Sequence, residues 1–275
     1  MQDATLPEPA FGAPELRAVT ADDLRRAIRL GWRDFRAAPG FGLAFAAVYV
    51  LAGWAMTWVT LATGTSFWMI LAAIGFPLIG PFAAVGLYEV SRRREMGLKL
   101  KPAAIMGVVV RQGARQLPSL CAVIVVVFLF WFFLGHMIFA LFLGLSTMTN
   151  ISSSAEVFLT FNGMKMLGFG TLVGAGFALV LYMISVLAIP ILLDREVDFV
   201  TAMITSFAYV RDHPVPMLVW AGLIAVTTFV AMLPGFLGLF IVLPLWAHAS
   251  WWLYAILAGH AKATIGRPAS AAAPV

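Results

Sequence analysis

Two histidines stand in long apolar runs, His136 in FLGHMIF and His248 in LWAHASW. A pair of imidazoles on different membrane helices is a donor set for axial ligation of a b-type haem. His136 lies seventeen residues from Ser119 and His248 twelve from His260. At about 1.5 Å per residue their depths then differ by roughly 8 Å, so haem ligation requires helix tilt. The simpler expectation is a neutral imidazole hydrogen-bonded to a neighbouring helix, worth about 1 kcal/mol. A haem–copper oxidase core needs more histidines than the four present. His213 and His260 fall at run ends, where a solvated imidazole is expected. No cofactor and no metal site are expected.

Carboxylates are placed differently. Glu89 and Asp194 stand at the ends of apolar runs, Glu156 stands in a polar loop, and no Asp or Glu falls well inside a run. Ion- or proton-coupled transport ordinarily uses a carboxylate at depth, so coupled transport is disfavoured. In GLYEVSRRRE, Glu89 is followed by Arg92 and Arg93 at i+3 and i+4, the spacing of a helical ion pair. Pairing with Arg36 is the alternative, and Tyr88 beside it reads as an interfacial aromatic. The single Cys121 excludes an intrachain disulfide. The chain has no GxSxG, HExxH or Walker sequence and no GxGxxG in a strand–helix context. The chain is expected to be non-enzymatic, with no nucleic-acid partner.

These side chains must be positioned by membrane helices. Of 275 residues 62% are hydrophobic and 11% charged, against about 25% charged in a soluble domain. The expected fold class is an all-α polytopic membrane protein with six transmembrane helices arranged as three hairpins. The spans are read near 41–63, 67–90, 119–145, 164–193, 216–233 and 236–260. LPGF at 233–236 is the turn between the last two. Residues 1–19 and 263–275 are expected to be disordered tails, with the first span an uncleaved signal anchor. Of 18 Lys and Arg residues, Lys165 alone lies on one side of these spans. The positive-inside rule places the rest, and both termini, in the cytoplasm.

Three short segments precede the hairpins. TADDLRRAIRLGWRDFRAAPG begins with Thr20 as N-cap and Asp23 in the capping-box position. Leu24, Ile28, Gly31, Trp32 and Phe35 share one face, with Arg25, Arg29, Arg33 and Arg36 elsewhere. That pattern fits a helix lying on anionic lipid headgroups, with a soluble partner as the alternative use of the face. KPAAIMGVVVRQGARQLP starts with Pro102 at N1. DFVTAMITSFAYVRDHP places Phe199, Met203 and Phe207 four residues apart. Each segment ends on Arg-x-x-Pro: Arg36–Pro39, Arg115–Pro118 and Arg211–Pro214. A proline in the return helix of each hairpin recurs at Pro77, Pro190 and Pro244, expected late in each. Together these features read as an internal threefold repeat of parallel units. Gly170, Gly174 and Gly176 read as a helix-packing face.

FPLIGPFAAVGLYEVSRRREMG at 76–97, with GWRDFRAAPGFG at 31–42, is similar to a bacterial family of integral membrane proteins known as domain of unknown function 2189. The resemblance is expected to extend over about 25–262. It implies a bacterial inner-membrane protein and supplies neither an activity nor catalytic residues.

Two functional classes follow. The first is a scaffold, assembly or accessory subunit of a membrane complex, with Arg36, Pro39, Glu89, Arg92, Arg115, Pro118, Arg211, Pro214, Trp32 and Phe35 as its structural or interface residues. Its partners are anionic lipid at the cytoplasmic face and another membrane protein. The second is a transporter or channel for a weakly polar or lipid-like solute.

Overall fold

Apolar runs and proline starts translate into helices in the computed structural model, which describes residues 9–64, 69–144 and 156–260. In chain order the helices are α1 (Ala21–Ala37), α2 (Pro39–Thr63), α3 (Met69–Glu95), α4 (Pro102–Gly113), α5 (Leu117–Leu143) and the single turn α6 (Glu156–Leu159). They continue with α7 (Phe161–Ser185), α8 (Ala188–Asp194), α9 (Phe199–Asp212), α10 (Pro214–Met232) and α11 (Leu239–Leu257). A parallel two-strand clasp pairs β1 (Ala10–Phe11) with β2 (Arg195–Glu196). Among the described residues five stretches, against the six expected, are long and apolar enough to cross a membrane: α2, α5, α7 continued through α8, α10 and α11. The expected second span, 67–90, begins outside the described residues. Its helical part is α3, which runs on to Glu95. The serine-rich loop ISSSA and the tail after residue 260 also lie outside the described residues.

The three Arg-x-x-Pro prolines start helices. Pro39, Pro118 and Pro214 occupy the first or second position of α2, α5 and α10, where a missing N–H costs no hydrogen bond. Arg36 and Arg211 close the last turns of α1 and α9, whereas Arg115 lies beyond the end of α4. Within each expected hairpin the helices pack together: α2 on α3, α5 on α7, α10 on α11. The return helices nevertheless differ. Pro77 and Pro244 fall early in α3 and α11, against the expected late position, and only Pro190 follows a break. That break between α7 and α8 has a local cause. Pro190 cannot donate to the Val186 carbonyl, and just before it Ser206 inserts between the Leu187 N–H and the Met183 carbonyl. The Leu187 N–H donates to Ser206 Oγ at 3.1 Å, and that hydroxyl donates to the Met183 carbonyl at 2.7 Å.

LPGF forms the expected turn. Gly235 and Phe236 both adopt positive φ, 60° and 68°, and Trp54 Nε1 donates to the Gly235 carbonyl at 2.7 Å.

The core sits around α11. Two thirds of its apolar window is buried (67%), against 17% for α5 and α10. Helix α11 packs on α1, α2, α3, α8 and α10. Large apolar side chains such as Phe130, Phe133, Leu172 and Val226 are left exposed on the outer helices, the surface a bilayer covers.

Two expectations change here. Residues 9–19 do not form a loose tail: Gly12 N–H donates to Glu196, Arg17 N–H to the Leu257 carbonyl, and Tyr209 Oη to the Arg17 carbonyl. The apolar face of α1 does not lie on lipid either. Its buried residues are Asp23, Leu24, Ala27, Gly31, Asp34 and Phe35, and they pack on α11. Trp32, expected on that face, is 41% exposed. Helix α9 differs in the same way. Ala202, Ser206, Tyr209 and Val210 are buried, while Phe207 is exposed.

Candidate functional site

Helix α1 can approach α11 because of one glycine. A Cβ on Gly31 would lie 2.6 Å from the Ala249 backbone nitrogen, so the two backbones touch at this crossing. One turn further, Asp34 is fully buried. Its Oδ2 accepts from Trp252 Nε1 at 2.7 Å and its Oδ1 from Arg94 Nε at 2.8 Å. Arg33, half exposed, reaches the same Oδ1 at 3.4 Å and lies over the Trp252 ring.

The last turns of α3 supply the other side. Glu89 is fully buried and pairs with Arg93 at 2.7 Å and Arg92 at 3.5 Å. Of the two partners expected for Glu89, the local arginines are therefore the ones found; Arg36 is exposed at the end of α1. Glu95 accepts from Trp251 Nε1 at 3.3 Å, and Ser91 Oγ shares a 2.9 Å hydrogen bond with His248 Nδ1. Tyr88 is buried beside Trp251 rather than interfacial. At the end of α8, Asp194 accepts from Tyr254 Oη at 2.6 Å.

Three aromatic donors of α11, Trp251, Trp252 and Tyr254, thus each hold a carboxylate from a different helix: α3, α1 and α8. Buried ions are tolerable only when paired and hydrogen-bonded, and here Trp N–H and Arg N–H groups satisfy Asp34 together. The junction is not saturated. Arg92 Nε, Glu95 Oε1 and His248 Nε2 are buried without a hydrogen-bond partner.

A second ionic group anchors α1 at its start. Thr20 and Asp23 form the expected capping box, and Arg17 grips both Asp23 oxygens at 2.6 and 2.8 Å. The Arg17 hydrogen bond, outweighing the cost of burial, holds the Asp23 carboxyl down at about 2.

The remaining sequence candidates are dispersed. Arg115 pairs with Glu196 at 2.5 Å, beside the β1–β2 clasp. Arg211 meets only its exposed neighbour Asp212 among the described ion pairs. Phe35 is buried and Pro39 begins α2. The two histidines weighed as haem ligands belong to different packing groups. His136 is exposed on α5 and its Nδ1 donates to the Phe132 carbonyl of its own helix at 2.9 Å, whereas His248 is buried against α3. Among the described residues no group of three or more His, Cys, Asp or Glu is placed to hold a metal ion. Of the three stripe glycines, Gly174 faces Trp131, and nothing lies within 4 Å of a Cβ at Gly170 or Gly176.

Sequence reasoning missed Asp34, Arg94, Glu95, Trp251 and Trp252. One signal was available: Asp34 follows Gly31 by three residues on an otherwise apolar stripe, and a carboxylate there needs a donor from outside the helix.

No curated protein and no solved structure matches the chain. The resemblance read over 25–262 is found over a shorter stretch, which contains Glu89, Arg92, Arg93, Arg94 and Glu95 but neither α1 nor α11. Residues 67–194, from α3 through α8, match the family described as predicted integral membrane protein (DUF2189), so the chain is similar to integral membrane proteins of an uncharacterised family.

Proposed function

We propose that this chain is a non-enzymatic bacterial inner-membrane protein, with both termini cytoplasmic, that acts as a scaffold, assembly or accessory subunit of a membrane complex. One observation carries the reading. The Gly31–Ala249 contact and the Asp34–Trp252 bond fix α1 to the core, and Arg25, Arg29, Arg33 and Arg36 remain exposed on its other faces. A fixed row of guanidinium groups suits an anionic partner surface or anionic headgroups, worth about 1 kcal/mol per charge near a membrane. The buried charges of the junction are largely consumed by one another, which suits a structural role.

Purification in mild detergent, with identification of co-purifying proteins and lipids, tests this. A stoichiometric protein partner is expected with the native chain and is expected to be lost from an Arg25→Gln/Arg29→Gln variant. Recovery of the native chain without any partner, together with altered solute uptake in cells lacking it, would overturn the reading. It would favour the runner-up, a transporter or channel for a weakly polar or lipid-like solute. A small apolar cavity of about 190 Å³ between α2, α3 and α11, lined by Tyr49, Gly80, Leu87 and Leu243, speaks for that alternative.

A further inference from the structure

We propose that the groove between the starts of α2 and α4 binds one acyl chain of an anionic phospholipid, with the headgroup phosphate at Arg36. The inference rests on the reading that the arginine-bearing end faces the cytoplasmic leaflet, and it deepens that reading from a charged surface to a defined site.

The groove is a cavity of about 710 Å³ whose lining residues are all apolar or glycine, among them Ala38, Ala44, Phe45, Val48, Ile105 and Met106. Its floor is firm. Ala38 and Ile105 are buried with Val90 of α3, and Phe41, Phe45 and Leu100 pack on them. The Phe45 ring lies so close to Gly86 of α3 that a Cβ there would overlap it, which holds the ring as a fixed wall. The rim is apolar and open: Val48 and Met106 are about half exposed, 46% and 49%.

The mouth has the opposite character. Arg36, exposed, immediately precedes the lining residue Ala37. Helices α2 and α4 both begin at the mouth, each with proline in its first turn and no side-chain cap. Helix α1 ends at the same mouth, at Ala37. Its partial negative end offsets the start of α2, leaving the start of α4 to add to the arginine charge. An apolar trough ending in a cationic mouth at a helix start is complementary to an amphiphile with an anionic head. An extended peptide would need backbone hydrogen-bonding groups that these walls do not offer.

The full-length chain is placed in nanodiscs containing equal phosphatidylglycerol and phosphatidylcholine, and retained lipids are counted by native mass spectrometry after release. The native chain is expected to retain one lipid, with phosphatidylglycerol preferred. Arg36→Gln should lower that preference about fivefold while leaving a lipid bound, the effect of one interfacial charge. Ala44→Trp, which fills the groove from an exposed position, should abolish retention, and Met106→Trp serves the same purpose should the first variant fail to fold. Arg111→Gln, at the exposed far end of α4 and outside the groove lining, should leave lipid selectivity unchanged. Ala44→Trp should leave the protein partner bound, so loss of the partner and loss of the lipid are read separately. Unchanged retention in a folded groove-filled variant, or unchanged selectivity in Arg36→Gln, would overturn the proposal. So would retention of no lipid by the native chain.

Discussion

At the scale of single residues, Asp34 is the most exacting position in the molecule. It is fully buried, and its two oxygens receive Trp252 from one side and Arg94 from the other. Asp34→Ala should destabilise the detergent-solubilised protein by about 2–3 kcal/mol, because it leaves the buried Trp252 N–H without an acceptor and the partly buried Arg94 without its counter-charge. Thermal unfolding followed by circular dichroism measures this, and a loss under 1 kcal/mol would show that the junction is hydrated and tolerant. Asp23 gives a pH signature instead. Its folded carboxyl titrates at about 2 and an unfolded one at about 4. Its stabilising share is therefore complete above pH of about 4 and disappears as pH falls toward 2. Arg17→Gln should flatten that part of the stability profile relative to the native chain.

At the scale of elements, the decisive contact is the crossing of α1 and α11. Gly31→Leu should force α1 away from Ala249, breaking the Asp34–Trp252 bond at the same stroke. Limited proteolysis near Ala38, between α1 and α2, should then become rapid, while cleavage elsewhere stays slow. Helix α1 itself was legible from Thr20, Asp23 and the apolar spacing, because caps and periodicity are local. The partner of its apolar face was not. Leu24, Gly31 and Phe35 fit a lipid surface and a neighbouring helix equally well, and the bond that decides between them joins residues 218 positions apart. The local pair of Glu89 with Arg93 was legible for the converse reason, since both ends lie on one helix four residues apart.

For the whole molecule, hydropathy finds five long apolar helices among the described residues but misleads about which of them forms the core. Helix α5 is the more apolar, with a mean hydropathy of 2.7, and is 17% buried; α11 has 1.5 and is 67% buried. In lipid the outside must be as apolar as any core, so the interior is marked by small and polar groups. Trp251, Trp252, Tyr254, His248 and Ser250 on α11 are that mark. The threefold pattern of Arg-x-x-Pro had a local meaning, helix starts at Pro39, Pro118 and Pro214, and said little about which helix would be central.

The central position of α11 also bears on the order in which the chain is made. Residues 9–37 leave the ribosome long before α11, yet Arg17 bonds to Leu257 and Asp34 to Trp252, which is 218 positions later in the chain. Asp34 can meet Arg94 once α3 is made, but helix α1 must wait for the Trp252 bond and the Gly31 crossing until α11 has been inserted. A chain stopped at residue 238 should insert its earlier helices but leave residues 9–37 open to protease, and pulse-chase labelling should show it degraded faster than the full-length chain. Insertion of α11 is thus the event that lets α1 close onto the core.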